Sequence, residues 1–505
     1  MDLHGIISRA AERAPGKTAL IFRERETTYA DLVRTVEGRA LGLLAEGVRP
    51  GDRVGIHLPN SPEFVEAYFA VTSLGAVAVP MNTLLKQAEL GHILSDSGTK
   101  TVITTGNTRF PGVERLVLVR HAGSVPARVV TPGATVRRWE DIWRGGDLPV
   151  ADRERELAVV LYTSGTTGRP KGAMLTHANL VSNAEGIGLA LDAGPRDVHL
   201  CVLPMFHTFA ATVCMNMPLL TGGTIVIMDQ FVPAGVLRLI EQHRVTVFAG
   251  VPAMYVALNN ARDGRGRDLG SLRACVAGGA ALPMDVFRQF EERFGVRIVE
   301  GYGLSEAAPV VSVNPACGPV RPGSVGLPIP GVRVRVVDEA GRDVPPGEVG
   351  EILVQGPNVM IGYYGLDLET REAMLGGWLR TGDLGRVDGD GYLYIVDRKK
   401  DLINVGGYKV YPREVEETLY RHPTVMEAVA VGRPDPARGE VVVAHVALGP
   451  GAQVSSRDLI AFCRRHLANY KVPVEIMFRE SLPKTGSGKL ARRLLREESG
   501  PAAAN

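Results

Sequence analysis

The chain has 505 residues, of which 45% are apolar and 22% charged, with a formal net charge of +2. That length and composition provide a large core and more than one domain, and the near-neutral balance excludes a protein that holds nucleic acid by bulk charge. Its five cysteines (Cys201, Cys214, Cys275, Cys317, Cys463) lack C-x-x-C spacing, which excludes a disulfide framework and a zinc site.

The N-terminus, Met1-Asp2-Leu3-His4, opens no basic-then-apolar segment, and no run of about 18 apolar residues follows anywhere. Neither a signal peptide nor a transmembrane segment is therefore expected, and the expected compartment is the cytoplasm. From Thr28 the apolar spacing predicts a helix over 31–46, a strand over 53–58, a helix over 63–74, a strand over 76–80, a helix over 87–95 and a strand over 100–105. A buried strand is predicted over 157–161. Further strands are predicted over 198–203, 224–228, 245–249, 273–277 and 297–299, separated by helical segments. Such alternation predicts parallel α/β layers.

Between residues 319 and 394 the pattern changes to short valine-rich runs broken by Gly and Pro, as at 332–337 and 350–354, which predicts an antiparallel β module. A small α+β unit follows. It has a helix opened by Pro412, strands over 425–431 and 441–447, a helix over 456–468 and a strand over 474–478. The five consecutive charges Asp397-Arg398-Lys399-Lys400-Asp401 predict an exposed, weakly packed linker and a hinge, dividing the chain into 1–398 and 399–505. The last stretch is locally basic (Lys484, Lys489, Arg492, Arg493, Arg496). It reads as a solvated tail, or as a face for an anionic cofactor or membrane surface.

After the 157–161 strand comes Tyr162-Thr163-Ser164-Gly165-Thr166-Thr167-Gly168-Arg169-Pro170-Lys171-Gly172. Glycines let backbone N–H groups approach a ligand, hydroxyls donate to oxyanions, and a lysine neutralises them, so this segment is a candidate polyphosphate cradle. It is not a Walker A loop, because Lys171 follows a proline and precedes Gly172. Neither is Gly486-Ser487-Gly488-Lys489, which ends in Leu490 and has Pro483 where the first glycine belongs. The string Gly301-Tyr302-Gly303-Leu304-Ser305-Glu306 fails as a dinucleotide fingerprint, since Glu306 stands where the third glycine is needed for helix packing.

Five motifs occur in a fixed order: the Thr163 loop, Gly301 to Glu306, Trp378-Leu379-Arg380-Thr381-Gly382-Asp383, Asp397 to Asn404, and Pro483 to Lys489. In that order they resemble the adenylate-forming superfamily, and over essentially the whole chain the likeness is to acyl-CoA synthetases. The resemblance implies two N-terminal α/β lobes plus a β-barrel and a small mobile C-terminal domain. It also implies a two-step reaction using ATP, Mg2+ and coenzyme A: a carboxylate forms an acyl-adenylate, then coenzyme A takes the acyl group.

By the same resemblance, Lys171 and the hydroxyls of Thr163, Ser164, Thr166 and Thr167 would hold the β- and γ-phosphates, with Gly165 and Gly168 shaping the loop. Glu306 would bind the cation, and Ser305 would supply a hydroxyl for the α-phosphate or the metal. Tyr302 would stack on adenine, beside Gly303 and the Gly278-Gly279-Ala280 turn. Asp383 would accept the ribose hydroxyls, Arg398 would contact ribose and phosphate, and Lys400 would be the hinge. Lys489 would bridge the attacking carboxylate and the α-phosphate, and Gly406 and Gly407 would leave room for pantetheine. His207 would join Lys489 and Glu306 as a catalytic residue.

For the acid, Phe206, His207, Met254 and Gly301 are the candidate contacts. Amino-acid-activating relatives carry an aspartate where His207 stands, and malonate-activating relatives an arginine where Gly301 stands, so both acids lose a partner here. Met215 and Met217 point to an apolar pocket, with Gly301 leaving tunnel space. The expected substrate is a medium- or long-chain fatty acid. The alternatives are an aryl or short-chain acid CoA ligase and a fatty acyl-AMP ligase, and further off a malonyl-CoA synthetase or a non-catalytic nucleotide-binding protein. Peripheral membrane contact and a homodimer are compatible with this reading.

Overall fold

The computed structural model describes residues 1–120, 131–148, 153, 155–163, 169–261, 267–449, 451–484 and 490–500. The helix expected from residue 31 starts earlier, as Tyr29–Ala45, because the Thr28 side chain accepts the Asp31 amide and satisfies an N-terminal donor. Ser61 does the same for Pro62–Ser73 through Phe64, with Pro62 placed where no N–H is required. That second helix is buried on every side, so its sequence is apolar almost throughout rather than striped.

Two large sheets form the N-terminal region. One has eight strands, running from Gly362–Tyr363 through Lys171–Thr176, Leu157–Thr163, Val77–Pro80, Arg53–His57, Thr101–Thr104 and Arg115–Leu118 to Thr135–Arg138. The other has nine, with Ile298–Gly303, Ala274–Ala277, Val247–Gly250, Val198–Cys201 and Thr224–Ile227 as parallel neighbours. Helices cover the faces, and one cluster of buried side chains joins both sheets, including Leu20 and Ile225 from one and Val54 and Ile56 from the other. This is why the parallel strands read as unbroken apolar runs.

The valine-rich region forms an open half-barrel of five strands: Arg333–Val337, Gly350–Gln355, Trp378–Val387, Met374–Leu375 and Leu393–Arg398. Its first expected part departs from this. Leu327–Pro328 instead extends the nine-stranded sheet beside Val310–Val313. The C-terminal unit has its own five-stranded sheet and its own apolar clusters. Its helices are Pro412–Tyr420, Ser456–His466 and Arg492–Glu498.

Two expectations need correction. The linker is exposed at Arg398, Lys399 and Lys400 but is not weakly packed. Asp397 is buried, with Oδ1 accepting from Arg398 N and Oδ2 from Arg413 N, and Lys399 pairs with the buried Glu351 at 3.1 Å. The basic tail is not a freely solvated one either. Arg492 pairs with Glu416 at 2.6 Å, Arg496 with Asp401 at 3.4 Å and Lys484 with Glu427 at 2.6 Å, while Leu495 is fully buried. These cations are matched by acids far away in sequence, which local charge counting does not see.

All five cysteines are free, and four of them are buried. No helix among the described residues is long and apolar enough to cross a membrane.

Candidate active site

Ligand sites in open α/β sheets form beyond the carboxyl ends of the parallel strands. That is where the nine-stranded sheet delivers four of the candidate segments: 203–209, 251–254, 278–280 and 301–306.

The first segment is fixed by Asn60, whose Oδ1 accepts from Met205 N at 2.8 Å while its amide donates to the Leu203 carbonyl at 2.9 Å. His207 follows, and its Nδ1 accepts from Phe209 N at 3.2 Å. An accepting Nδ1 places the proton of the neutral ring on Nε2, so the imidazole offers an N–H donor. Phe209 lies over Gly278, where an added Cβ would come within 3.0 Å of the Phe209 ring. Gly279 has φ +82°, a conformation that favours glycine, and Gly279 and Ala280 are both exposed.

Phe206, Phe209, Met254 and Tyr302 are half-buried and pack on the same core cluster. Met215 and Met217, expected to point to the pocket, are instead fully buried within that cluster. Gly301 pairs with Val313, and a Cβ there would meet the Ser312 carbonyl at 3.2 Å and Val313 Cγ2 at 3.4 Å. Its missing side chain therefore accommodates the neighbouring strand, and no open tunnel space adjoins that Cβ position.

Two polar groupings flank this wall. In the first, the Tyr302 hydroxyl donates to Asp383 Oδ2 at 2.6 Å, and Arg398 Nε lies 3.2 Å from Asp383 Oδ1. Asp383 and Arg398 are direct partners of adjacent strands, and the Thr381 hydroxyl accepts from Asp383 N. Burial and the Asp383 charge push the Tyr302 phenol well above its ordinary value, so it stays a donor. The Asp383 carboxylate raises the Arg398 guanidinium too.

In the second grouping, Thr163 and Lys171 face each other across an antiparallel pair, which puts the lysine at the mouth of the candidate phosphate loop. Ser164, Gly165, Thr166, Thr167 and Gly168 lie outside the described residues. Lys171 Nζ sits 5.2 Å from the centre of the Tyr363 ring, and the Tyr363 hydroxyl donates to Glu306 Oε1 at 2.9 Å. Ser305 and Glu306 occupy a single turn of 3-10 helix that begins after Leu304, one residue beyond Gly303. At Gly303 an added Cβ would lie 2.2 Å from the Pro309 carbonyl oxygen, so only glycine lets the chain double back there.

The two groupings meet through the short run from Tyr302 to Glu306. Gly406 and Gly407 form an exposed hairpin turn in the C-terminal sheet, with φ of +59° and +88° and open space where side chains would be. Among the described residues their amides bond within that unit, to Arg438 and Asn404. Lys400 is exposed, and Lys489 lies outside the described residues. Sequence reasoning missed Tyr363, Phe209 and Asn60. A lone tyrosine or asparagine carries no spacing signal, and only the pairing of distant strands gives these residues their neighbours.

The chain matches the family of AMP-binding enzymes over residues 7–364 and that family's C-terminal domain over 414–489. The chain belongs to the AMP-binding enzyme family. This AMP-binding enzyme is 38% identical to a long-chain-fatty-acid–CoA ligase of Bacillus subtilis, over 98% of its own length and 94% of the relative's. It is 41% identical to a feruloyl-CoA synthase of an Amycolatopsis species, over 97% and 98%. Among solved structures it superposes on ATP-bound MatB from Rhodopseudomonas palustris with a TM-score of 0.89 at 32% identity, covering 99% of both chains. Its enzyme class is that of an AMP-forming acyl-CoA synthetase.

Proposed function

We propose that this AMP-binding enzyme activates a medium- or long-chain fatty acid with MgATP to an acyl-adenylate and pyrophosphate, and then transfers the acyl group to coenzyme A. The observation that carries the choice of acid is the apolar wall: Phe206, Phe209, Ala253, Met254 and Tyr302 pack half-buried on one core cluster at the ends of the parallel strands. The long-chain relative supports the same reading. A second reading, an aryl acid, is favoured by the feruloyl relative and by the aromatic Phe209 ring, which packs close to the Gly278 backbone.

A carboxylate attacking the α-phosphorus brings two anions together, so the site must neutralise charge and hold an in-line geometry. In this reading Lys171 and the hydroxyls of 163–167 grip the terminal phosphates. The Glu306 carboxylate with the Ser305 hydroxyl suits a hard divalent cation, whose other ligands would be phosphate and water oxygens. Such a cation screens the phosphate charge that the acid must approach.

Asp383 accepts from Tyr302 and Arg398, and in this reading the same carboxylate also takes the ribose hydroxyls. Tyr302 gives its ring face to adenine, and the Gly278 to Ala280 backbone meets the base edge. The Nε2–H of His207 orients the acid's carboxylate. Lys489 bridges carboxylate and α-phosphate as charge shifts between them. After adenylation the unit from residue 399 onward turns about Lys400, withdrawing Lys489 and bringing Gly406 and Gly407 to the pantetheine arm.

The test is pyrophosphate exchange and coenzyme A thioester formation across saturated acids from octanoate to palmitate, with ferulate, malonate and an amino acid alongside. The fatty acids should lead. A clear preference for ferulate would install the aryl reading, and preference for malonate or an amino acid would refute an apolar acid pocket.

A further inference from the structure

We infer that Tyr363 is a positioning residue that holds the cation-binding carboxylate and the phosphate-binding lysine apart at a fixed spacing; this rests on the roles proposed above for Glu306 and Lys171. The phenol hydroxyl donates to Glu306 Oε1 at 2.9 Å, and the ring lies 5.2 Å beneath Lys171 Nζ. One side chain thus contacts both charged groups by different means: a hydrogen bond at its edge and a cation–π contact at its face.

Among the described residues no ion pair joins Lys171 to Glu306 directly. A direct pair would satisfy each charge with the other and weaken both toward a ligand. With the ring between them, the carboxylate is oriented by a neutral donor, and the ammonium rests on a surface that leaves its N–H groups for phosphate.

The tyrosine is itself anchored to both partners' backbones. Its strand, Gly362–Tyr363, pairs with Lys171–Thr176 so that Tyr363 faces Ala173, and Tyr364 N donates to the Gly172 carbonyl at 2.8 Å. Met360 N donates to the carbonyl of Glu306 at 2.8 Å. Tyr363 N donates to the Thr370 hydroxyl at 2.9 Å, and at Gly362, with φ +145°, a Cβ would sit 2.7 Å from Thr370 Cγ2. The segment 360–364 is therefore a strap from the lysine strand to the glutamate turn, and the ring is its spacer.

The experiment titrates a fluorescent ATP analogue onto the full chain with Mg2+ and with EDTA, in parallel with pyrophosphate exchange against Mg2+ concentration. Tyr363→Phe keeps the ring and loses the hydroxyl. It should raise the Mg2+ concentration for half-saturation about tenfold, the usual cost of losing a partner that orients a metal ligand. Its nucleotide affinity in EDTA should match the wild type, because the lysine contact is intact. Tyr363→Leu should weaken nucleotide binding in EDTA as well, by about threefold or more.

A Tyr363→Phe variant with unchanged Mg2+ dependence, or a Tyr363→Leu variant with unchanged EDTA affinity, overturns the inference. Glu306→Gln separates this from failure of the underlying reading. If that variant also leaves the Mg2+ dependence untouched, Glu306 is not the cation's residue and the proposal falls with it. A merely structural role for Tyr363 would make Tyr363→Phe lower the melting temperature and both affinities together, and that outcome also overturns it.

Discussion

The Tyr302 hydroxyl donates to Asp383 Oδ2 at 2.6 Å across 81 residues of sequence, tying the end of a parallel strand to a strand of the half-barrel. The bond makes one unit of a ring proposed to stack on the base and a carboxylate proposed to hold the ribose. Tyr302→Phe keeps the ring and deletes the donor. We expect the KM for ATP to rise about tenfold or more with the fold intact, since a hydrogen bond to a charged group contributes about 1.5 kcal/mol or more. An unchanged KM would mean that the Asp383 carboxylate is held in place without the Tyr302 hydroxyl.

Adjacent strands of the nine-stranded sheet were legible because each is a short apolar run between turn residues, and the helix after Thr28 because its apolar residues recur at helical spacing. Residues 301–306 stood out as one of five motifs in a fixed order, and the structure brings Tyr302 to Asp383 and Glu306 to Tyr363. Tyr363 was not legible, because its meaning lies in Glu306 and Lys171, 57 residues away in one case and on a strand paired non-locally in the other. Met215 and Met217 misled for the opposite reason: a methionine beside a pocket and one inside a core have the same sequence signature. The linker looked loose because five charges in a row lack local partners, while their actual partners, Glu351, Asp383 and Arg496, belong to other elements.

At Gly303 the backbone doubles back so closely that an added Cβ would lie 2.2 Å from the Pro309 carbonyl oxygen and 2.8 Å from its carbon. Backbone atoms cannot yield as a side-chain tip can. Gly303→Ala must therefore displace Glu306 relative to Tyr302, or break the Leu304 N to Pro309 carbonyl bond at 3.1 Å. Pyrophosphate exchange should fall at least a hundredfold, while the melting temperature drops by several degrees. Near-normal exchange would show that the bend can relax without moving the glutamate.

Glu351 is buried and receives Arg380 at 2.6 Å and Lys399 at 3.1 Å, so it fastens the first linker lysine to the half-barrel. Glu351→Gln leaves both cations without their counter-ion. Because Arg380 and Lys399 are 37% and 45% exposed, water takes up part of the loss, and the cost should be about 1–2 kcal/mol. The same change frees the linker. Limited proteolysis should cleave near Lys399 and Lys400 several times faster in the variant. Equal cleavage rates would place the restraint on the linker in the Asp397 to Arg413 bond instead.

Glu300 precedes the Gly301 to Glu306 stretch and is buried, with Leu282 N and Gly323 N each 3.3 Å from one of its carboxylate oxygens. Burial raises its carboxyl from the ordinary 4.5 to about 7, against the pull of those donors and of Arg413. A raised folded-state value means that the unfolded chain ionises first as pH rises, so this group costs stability progressively between about pH 4.5 and 7. The full penalty, on the order of 3 kcal/mol at most, is in place above that window. Glu300→Gln removes the ionisation. The difference in unfolding free energy between variant and wild type should therefore move in the variant's favour from pH 5 to pH 8. Other titrating groups cancel in that difference, including His57, His177 and His199, which burial holds down to about 4 and which act in the opposite direction by destabilising the fold as pH falls. Parallel pH profiles for the two proteins would show that Glu300 is ionised in the fold at ordinary pH, with the Leu282 and Gly323 amides supplying its solvation.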